Sequence, residues 1–249
     1  MKRALAVLST LMGVGSLVVF TVFLFTGPFH LVELPLGVTG GLVFDAGLCF
    51  AFFLQHSGMI RRGTRNRIMR WVPKRYFGVL FSIVAGSVLL ALVALWQESP
   101  VSIASVHGPY RWLLRGIFLL AVVGQIWMIR ALTSVDVFGK IALMQLQSSD
   151  SAPSQGGILM VGPYAWVRHP AYFTTLLMIY AYPDLTMDRL LLIFLFTVWI
   201  IIGAFLEERD LVAVHGEDYR VYQRIVPMLI PYRVPSRKSG WEPTSPDSR

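Results

Sequence analysis

A chain of 249 residues with 55% hydrophobic and only 14% charged side chains, at a mean hydropathy of +0.61, lacks the polar surface that a water-soluble domain needs and reads as a polytopic membrane protein. The 21 glycines and 14 prolines are scattered, which excludes collagen-like and low-complexity chains, and the single cysteine, Cys49, excludes an intrachain disulfide or a cysteine-rich metal site. A net charge of +8 would raise nucleic-acid binding in a soluble chain; here it reads as membrane topology, with no nucleic-acid partner expected.

In chain order, four apolar runs have the length of about 20 residues that a helix needs to cross hydrocarbon. They cover residues 4–25, 37–54, 77–96 and 112–132. The first follows Met1-Lys2-Arg3, but it is longer than a signal-peptide core and no small-x-small cleavage site follows, so it reads as retained. Beyond Pro170, two further runs, 171–182 and 190–206, flank the turn 183–188 and predict a helical hairpin whose short first arm is shielded by neighbours. The expected fold is all-α, with a four-span bundle over 1–132, a second region with the hairpin over 133–234, and a disordered tail over 235–249. Counted by loop, 18 lysines and arginines fall on the side of the two termini and 1 on the other, so both termini are expected in the cytoplasm of a bacterial inner-membrane protein. The basic cluster of Arg61, Arg62, Arg65, Arg67, Arg70, Lys74 and Arg75 then faces lipid headgroups. The outer loops are short and read as nearly featureless.

Three polar clusters on the inner side carry possible chemistry. Around Arg168-His169-Pro170, the proline favours a helix start, so amides and cationic side chains would point at an anion or carboxylate; an interfacial anchor belt of Trp, Tyr and Arg is the alternative. Glu207-Glu208-Arg209-Asp210 closes the last apolar run with acid where a helix dipole prefers base, which suits a ligand ammonium or diol as well as a solvated helix end. Residues 215–224 form an amphipathic stretch whose default role is packing. His56, where the second run ends, and Asp136, beyond the fourth, form an acid–base unit if they meet; a hydrogen-bonded structural histidine is the alternative. No P-loop, HExxH, GxSxG or GxGxxG signature is present.

Taken together, GPYAWVRHPAY, the hairpin and EERDLVAVHGEDYRVYQRIVPMLIP resemble the integral-membrane methyltransferases typified by isoprenylcysteine carboxyl methyltransferase, over about residues 155–232. QHSGMIRR at 55–62, DVFG at 136–139 and YPDLTMDRLL extend the likeness to the bacterial branch that contains methanethiol S-methyltransferase and membrane proteins associated with nitric-oxide reduction. The resemblance implies methyl transfer from S-adenosylmethionine on the cytoplasmic side. Carried over position by position, cofactor contacts fall on Gly156, Gly157, Ile158, Leu159, Tyr164, His169, Pro170, Ala171, Tyr172 and Glu207, with Arg168 and Glu208 as neighbours. Where the isoprenylcysteine enzymes hold substrate with an arginine one turn before the cofactor glutamate, this chain has Gly203. A carboxylate acceptor loses its partner there, and a small thiol such as methanethiol, giving dimethyl sulfide, becomes the leading expectation. DVFG continues here with Lys140 and Ile141 in place of the branch's Leu-Arg-Gln. A prenylcysteine or lipid acceptor, or a noncatalytic membrane protein of nitrogen-oxide respiration, are the alternatives. A thiol must lose a proton, and His56 with Asp136 is the expected base.

Overall fold

The computed structural model describes residues 2–131 and 162–234; Asp136, Gly156, Gly157, Ile158, Leu159 and the tail from 235 lie outside the described residues. In chain order the elements are α1 (Lys2–Thr26), α2 (Val38–Ile60), α3 (Arg62–Ile68), α4 (Lys74–Leu95), β1 (Ser102–Ser105), α5 (Gly108–Ala131), a 3-10 turn (Gly162–Ala165), α6 (Pro170–Tyr180), β2 (Asp184–Thr186), α7 (Met187–His215) and α8 (Glu217–Ile225). Five of them, α1, α2, α4, α5 and α7, are long and apolar enough to span a membrane, so the protein is an integral membrane protein of all-α class. Leu11, Leu120 and Phe205 stand 60% or more exposed on these helices, which suits a hydrocarbon solvent and no other.

The buried core is built where those helices converge. Phe20, Phe23 and Leu24 of α1 meet Cys49 and Phe53 of α2, Leu89 and Leu92 of α4, Phe118 of α5, Met178 of α6, and Leu192 and Phe196 of α7. Phe53 stacks on Trp199 at 4.9 Å and meets Phe196 edge-on at 5.0 Å, which fixes α2 against α7. Helices α1 and α4 approach so closely at Gly86 that a Cβ there would run into the Met12 carbonyl. Gly86→Val is therefore expected to lower stability by roughly 1–3 kcal/mol through overpacking, read as an earlier thermal unfolding midpoint in detergent, whereas Gly15→Val, in open space, should leave it unchanged.

The hairpin's short arm solves its length problem by changing structure part-way. At 11 residues α6 is about 16 Å long, roughly half a hydrocarbon core. It runs antiparallel to α7, as contacts from Tyr172 to Glu207 (3.0 Å) and from Tyr180 to Thr197 (3.1 Å) show. The chain then continues without helix through Ala181 and Pro183, both buried, so its backbone is screened from lipid by protein. The Tyr182 hydroxyl donates to the Thr26 carbonyl at 3.2 Å, and the guanidiniums of Arg189 and Arg115 lie over its ring at 4.3 and 5.3 Å.

This end of the molecule is richer than its loop lengths predict. β2 pairs antiparallel with β1, with Ser102 opposite Thr186, Ala104 opposite Leu185 and Ser105 opposite Asp184. Arg111 grips Asp184 with both terminal nitrogens at 2.8 and 2.7 Å and holds its carboxyl below the usual carboxylate range. Asp188, fully buried, accepts from the Trp96 indole and the Ser99 amide, each at 3.0 Å, while Asp45 accepts from the Gln97 amide at 3.0 Å. Two buried carboxylates thus hold the turn after α4. Neither announces itself in the sequence, because each partner lies in a distant loop.

Candidate active site

Helix α7 does not stop at the acidic cluster, as its apolar run predicts, but continues to His215. The reason is packing: Leu211 and Val212 cover Tyr219, Tyr222 and Val226, so burial beyond the acids sustains the helix. Gly216 then turns the chain at φ +60°, a left-handed conformation open to glycine, and α8 folds back onto α7. The amphipathic 215–224 stretch has the packing role expected of it, through Tyr219 and Tyr222. Pro170 stands at the first position of α6 with His169 at its N-cap, also as the sequence predicts.

These three pieces meet at Glu208. Its buried carboxylate accepts from Arg168 Nε at 2.8 Å, His169 Nε2 at 2.9 Å, the Tyr219 hydroxyl at 2.9 Å, and the Gln223 side-chain amide. Arg168 also donates to the carbonyls of Gln223 and Val226, at 2.8 and 2.6 Å. The backbone amides of Arg168 and His169 donate to Pro227 and Met228 carbonyls at 2.9 and 3.1 Å. The anion cradle expected from Arg168 and its neighbouring amides is therefore corrected: those donors are occupied within the protein, locking α8 and the segment after it onto the start of α6. Tyr219 and Gln223, four apart on one face of α8, are site-building residues that the sequence reading assigned only to packing or passed over.

Glu207, one residue earlier, points elsewhere. Its side chain is 47% exposed; it accepts from the Tyr172 hydroxyl at 3.0 Å and lies 3.6 Å from His169 Nδ1. The His169 ring stacks on Tyr172 with centroids 5.4 Å apart. Because Glu208 is an acceptor only, it draws the imidazole proton to Nε2 in the neutral ring and leaves Nδ1 facing the Glu207 side. Tyr164 completes this face: its carbonyl accepts from Tyr222 at 2.7 Å, and burial, then the Glu207 charge, push its hydroxyl up to about 12, so it stays a donor. A half-exposed carboxylate beside a phenol, an imidazole and the amides of Ala171 and Tyr172 in the first turn of α6 offers partners for an ammonium, a carboxylate and a ribose diol together. The structure thus brings Tyr164, His169, Pro170, Ala171, Tyr172 and Glu207 to one place.

The end of α2 adjoins it. Arg61 pairs with Asp210 at 2.8 Å, and Ser57 accepts from the Trp199 indole at 3.1 Å, so α2 is tied to α7 on both sides of Gly203 and Glu207. A Cβ at Gly203 would lie 3.7 Å from the Tyr172 hydroxyl, so a longer side chain there would grow into this space. His56 has its ring between Phe52 and Phe81, 5.3 Å from each, and its buried Nδ1 has no hydrogen-bond partner. Gln55 Oε1 is likewise buried without one. Among the described residues, His56 forms no hydrogen bond, ion pair or ring contact with Tyr172 or Glu207, and Asp136 lies outside them. Also among the described residues, no cluster of His, Cys, Asp and Glu suits a metal ion.

Methanethiol S-methyltransferase of Pseudomonas sp. (strain GM41(2012)) is 34% identical to this chain over 197 residues, covering 76% of this chain and 73% of that protein. The chain belongs to the methanethiol S-methyltransferase family. The protein of the same name from Crocosphaera subtropica is 32% identical over 198 residues, covering 77% and 75%, and Nurim of Xenopus laevis is 28% identical over 189 residues, covering 67% and 61%. No family model matches, and no solved structure does. Membership in this family supports a methyltransferase role for the chain.

Proposed function

We propose that the protein is an S-adenosylmethionine-dependent thiol S-methyltransferase that converts methanethiol to dimethyl sulfide, with its site on the cytoplasmic side of the bacterial inner membrane. The observation that carries this reading is the half-exposed Glu207 carboxylate held by Tyr172 and His169 in a chain of this family. When bound, the cofactor supplies a methyl group activated by its sulfonium. Glu207 takes the ribose diol or the ammonium, and the first-turn amides of α6, with Tyr164, Gly156, Gly157, Ile158 and Leu159, complete the cradle. Gly203 leaves room beside Tyr172 for a small acceptor and offers no cation to a carboxylate. The acceptor's sulfur would take the methyl group as the sulfonium–carbon bond breaks and S-adenosylhomocysteine leaves, and the thiol's proton would go to His56, whose Nδ1 is buried and unpartnered, with Asp136 as the carboxylate proposed to assist it. An apolar site speeds the transfer by positioning and by favouring a reaction that disperses charge.

Headspace gas chromatography of membranes holding the protein, given S-adenosylmethionine and methanethiol, tests this reading. Dimethyl sulfide is expected from the parent and from neither Glu207→Ala nor His169→Ala. No product, with labelled cofactor still bound, would remove methanethiol and turn the search to prenylcysteine or lipid acceptors. Loss of both product and binding in folded parent protein would leave the noncatalytic role. His56→Ala and Asp136→Asn are expected to depress turnover most at low pH, where free thiolate is scarce; turnover unchanged across the pH range would remove them as the base.

A further inference from the structure

Residues 61–75, between α2 and α4, hold seven arginines and lysines and no acid. Three of the seven are engaged: Arg61 with Asp210 at 2.8 Å, Arg65 over the Phe77 ring at 5.3 Å, and Arg75 over the Tyr76 ring at 5.0 Å. Arg62, Arg67, Arg70 and Lys74 are exposed and form no ion pair with any described residue. Among them stands Trp71, 87% exposed. Four like charges within thirteen residues repel one another, and a bare indole in water gives up the burial that makes tryptophan stabilising. Both costs disappear against one kind of surface, an anionic headgroup layer, which neutralises the cations and accepts the ring at its boundary. Connectivity puts that surface within reach, because the segment is held at both ends by membrane-spanning helices that finish at Ile60 and begin at Lys74.

We infer that the α2–α4 connection is a docking face for anionic phospholipid headgroups, with Arg62, Arg67, Arg70 and Lys74 taking the phosphates and Trp71 seated at the headgroup level. The face continues into the candidate site. Arg61 is both the residue that opens α3 and the partner of Asp210, which lies one turn beyond Glu207 on α7. Headgroup binding therefore anchors the end of α2 and, through Arg61, the stretch of α7 that carries Glu207.

The test uses the full chain, purified in detergent and exchanged into an equimolar mixture of phosphatidylglycerol and phosphatidylcholine, with the retained lipid quantified by mass spectrometry. The parent is expected to retain phosphatidylglycerol preferentially. Combining Arg62→Gln, Arg67→Gln, Arg70→Gln and Lys74→Gln should reduce that preference roughly tenfold, since each basic residue near such a surface adds to the attraction. Replacing the same three arginines by lysine should keep it, and raising the salt on the parent should weaken it without any substitution. An unchanged preference in the glutamine variant, no preference in the parent, or displacement of the lipid by a single-stranded oligonucleotide at physiological salt would each overturn the inference. The salt series on the parent reads the same contact should the glutamine variant fail to fold.

Discussion

Glu208→Ala is expected to destabilise the protein by about 3–5 kcal/mol, because it strands a buried arginine and a buried histidine whose shared acceptor is gone. The side chains of Arg168 and Glu208 are 9% and 8% exposed, so water cannot easily replace the lost carboxylate. The Tyr219 hydroxyl and the Gln223 amide lose their acceptor at the same time. Since this carboxylate ties α7 both to α8 and to the start of α6, the end of α7 and α8 should loosen first. Thermal unfolding in detergent and limited proteolysis around 216–228 would show it. Glu208→Gln keeps the shape and one acceptor oxygen but removes the charge, and should fall between the parent and alanine. A Glu208→Ala protein with an unshifted midpoint and no new cleavage would show that the cluster contributes nothing to the fold.

Glu207→Ala should do the opposite: leave the fold intact and weaken cofactor binding by about ten- to a hundredfold, the worth of a hydrogen bond to a charged group. Its side chain is half exposed and the protein asks little of it structurally. Tyr172→Phe removes only the hydroxyl that orients this carboxylate and should weaken binding by about two- to tenfold. Titration of labelled S-adenosylmethionine into folded protein measures both. Full affinity in Glu207→Ala would move the cofactor away from this face. The two adjacent glutamates then have separable signatures, one in the melting curve and one in the binding isotherm.

That division was not visible in Glu207-Glu208 as a pair of letters. Neighbours on a helix point roughly 100° apart, so one must face α8 while the other faces open space, but which is which depends on where α8 lies. Run length, by contrast, was enough to place α1, α4, α5 and the start of α2 to within about four residues, because the membrane requirement acts on every residue of a span, whereas α2 continues six residues past its apolar run to Ile60. It failed at the end of α7, where four charged residues interrupt the hydropathy while Leu211 and Val212 still have a surface to cover. The start of α6 was legible from Pro170, a constraint local to one residue. The engagement of Arg168 was not, since its acceptors lie 40 to 58 residues away in sequence. His56 was chosen by residue type and by resemblance; its unpartnered Nδ1 between two phenylalanines is a property of packing alone.

The small β1–β2 ribbon imposes an order on how the chain is made. Ser105 and Asp184 are 79 residues apart, and their pairing requires both loops to have reached the same face of the bilayer. At a synthesis rate of about 5–20 residues per second, β1 waits several seconds for its partner strand. During that wait Arg111 has no carboxylate to grip. Helix α7 follows β2 directly, and its Arg189 then closes over the Tyr182 ring. A ribosome that stalls before β2 therefore leaves behind a chain whose β1 edge and Arg111 are both without their partners.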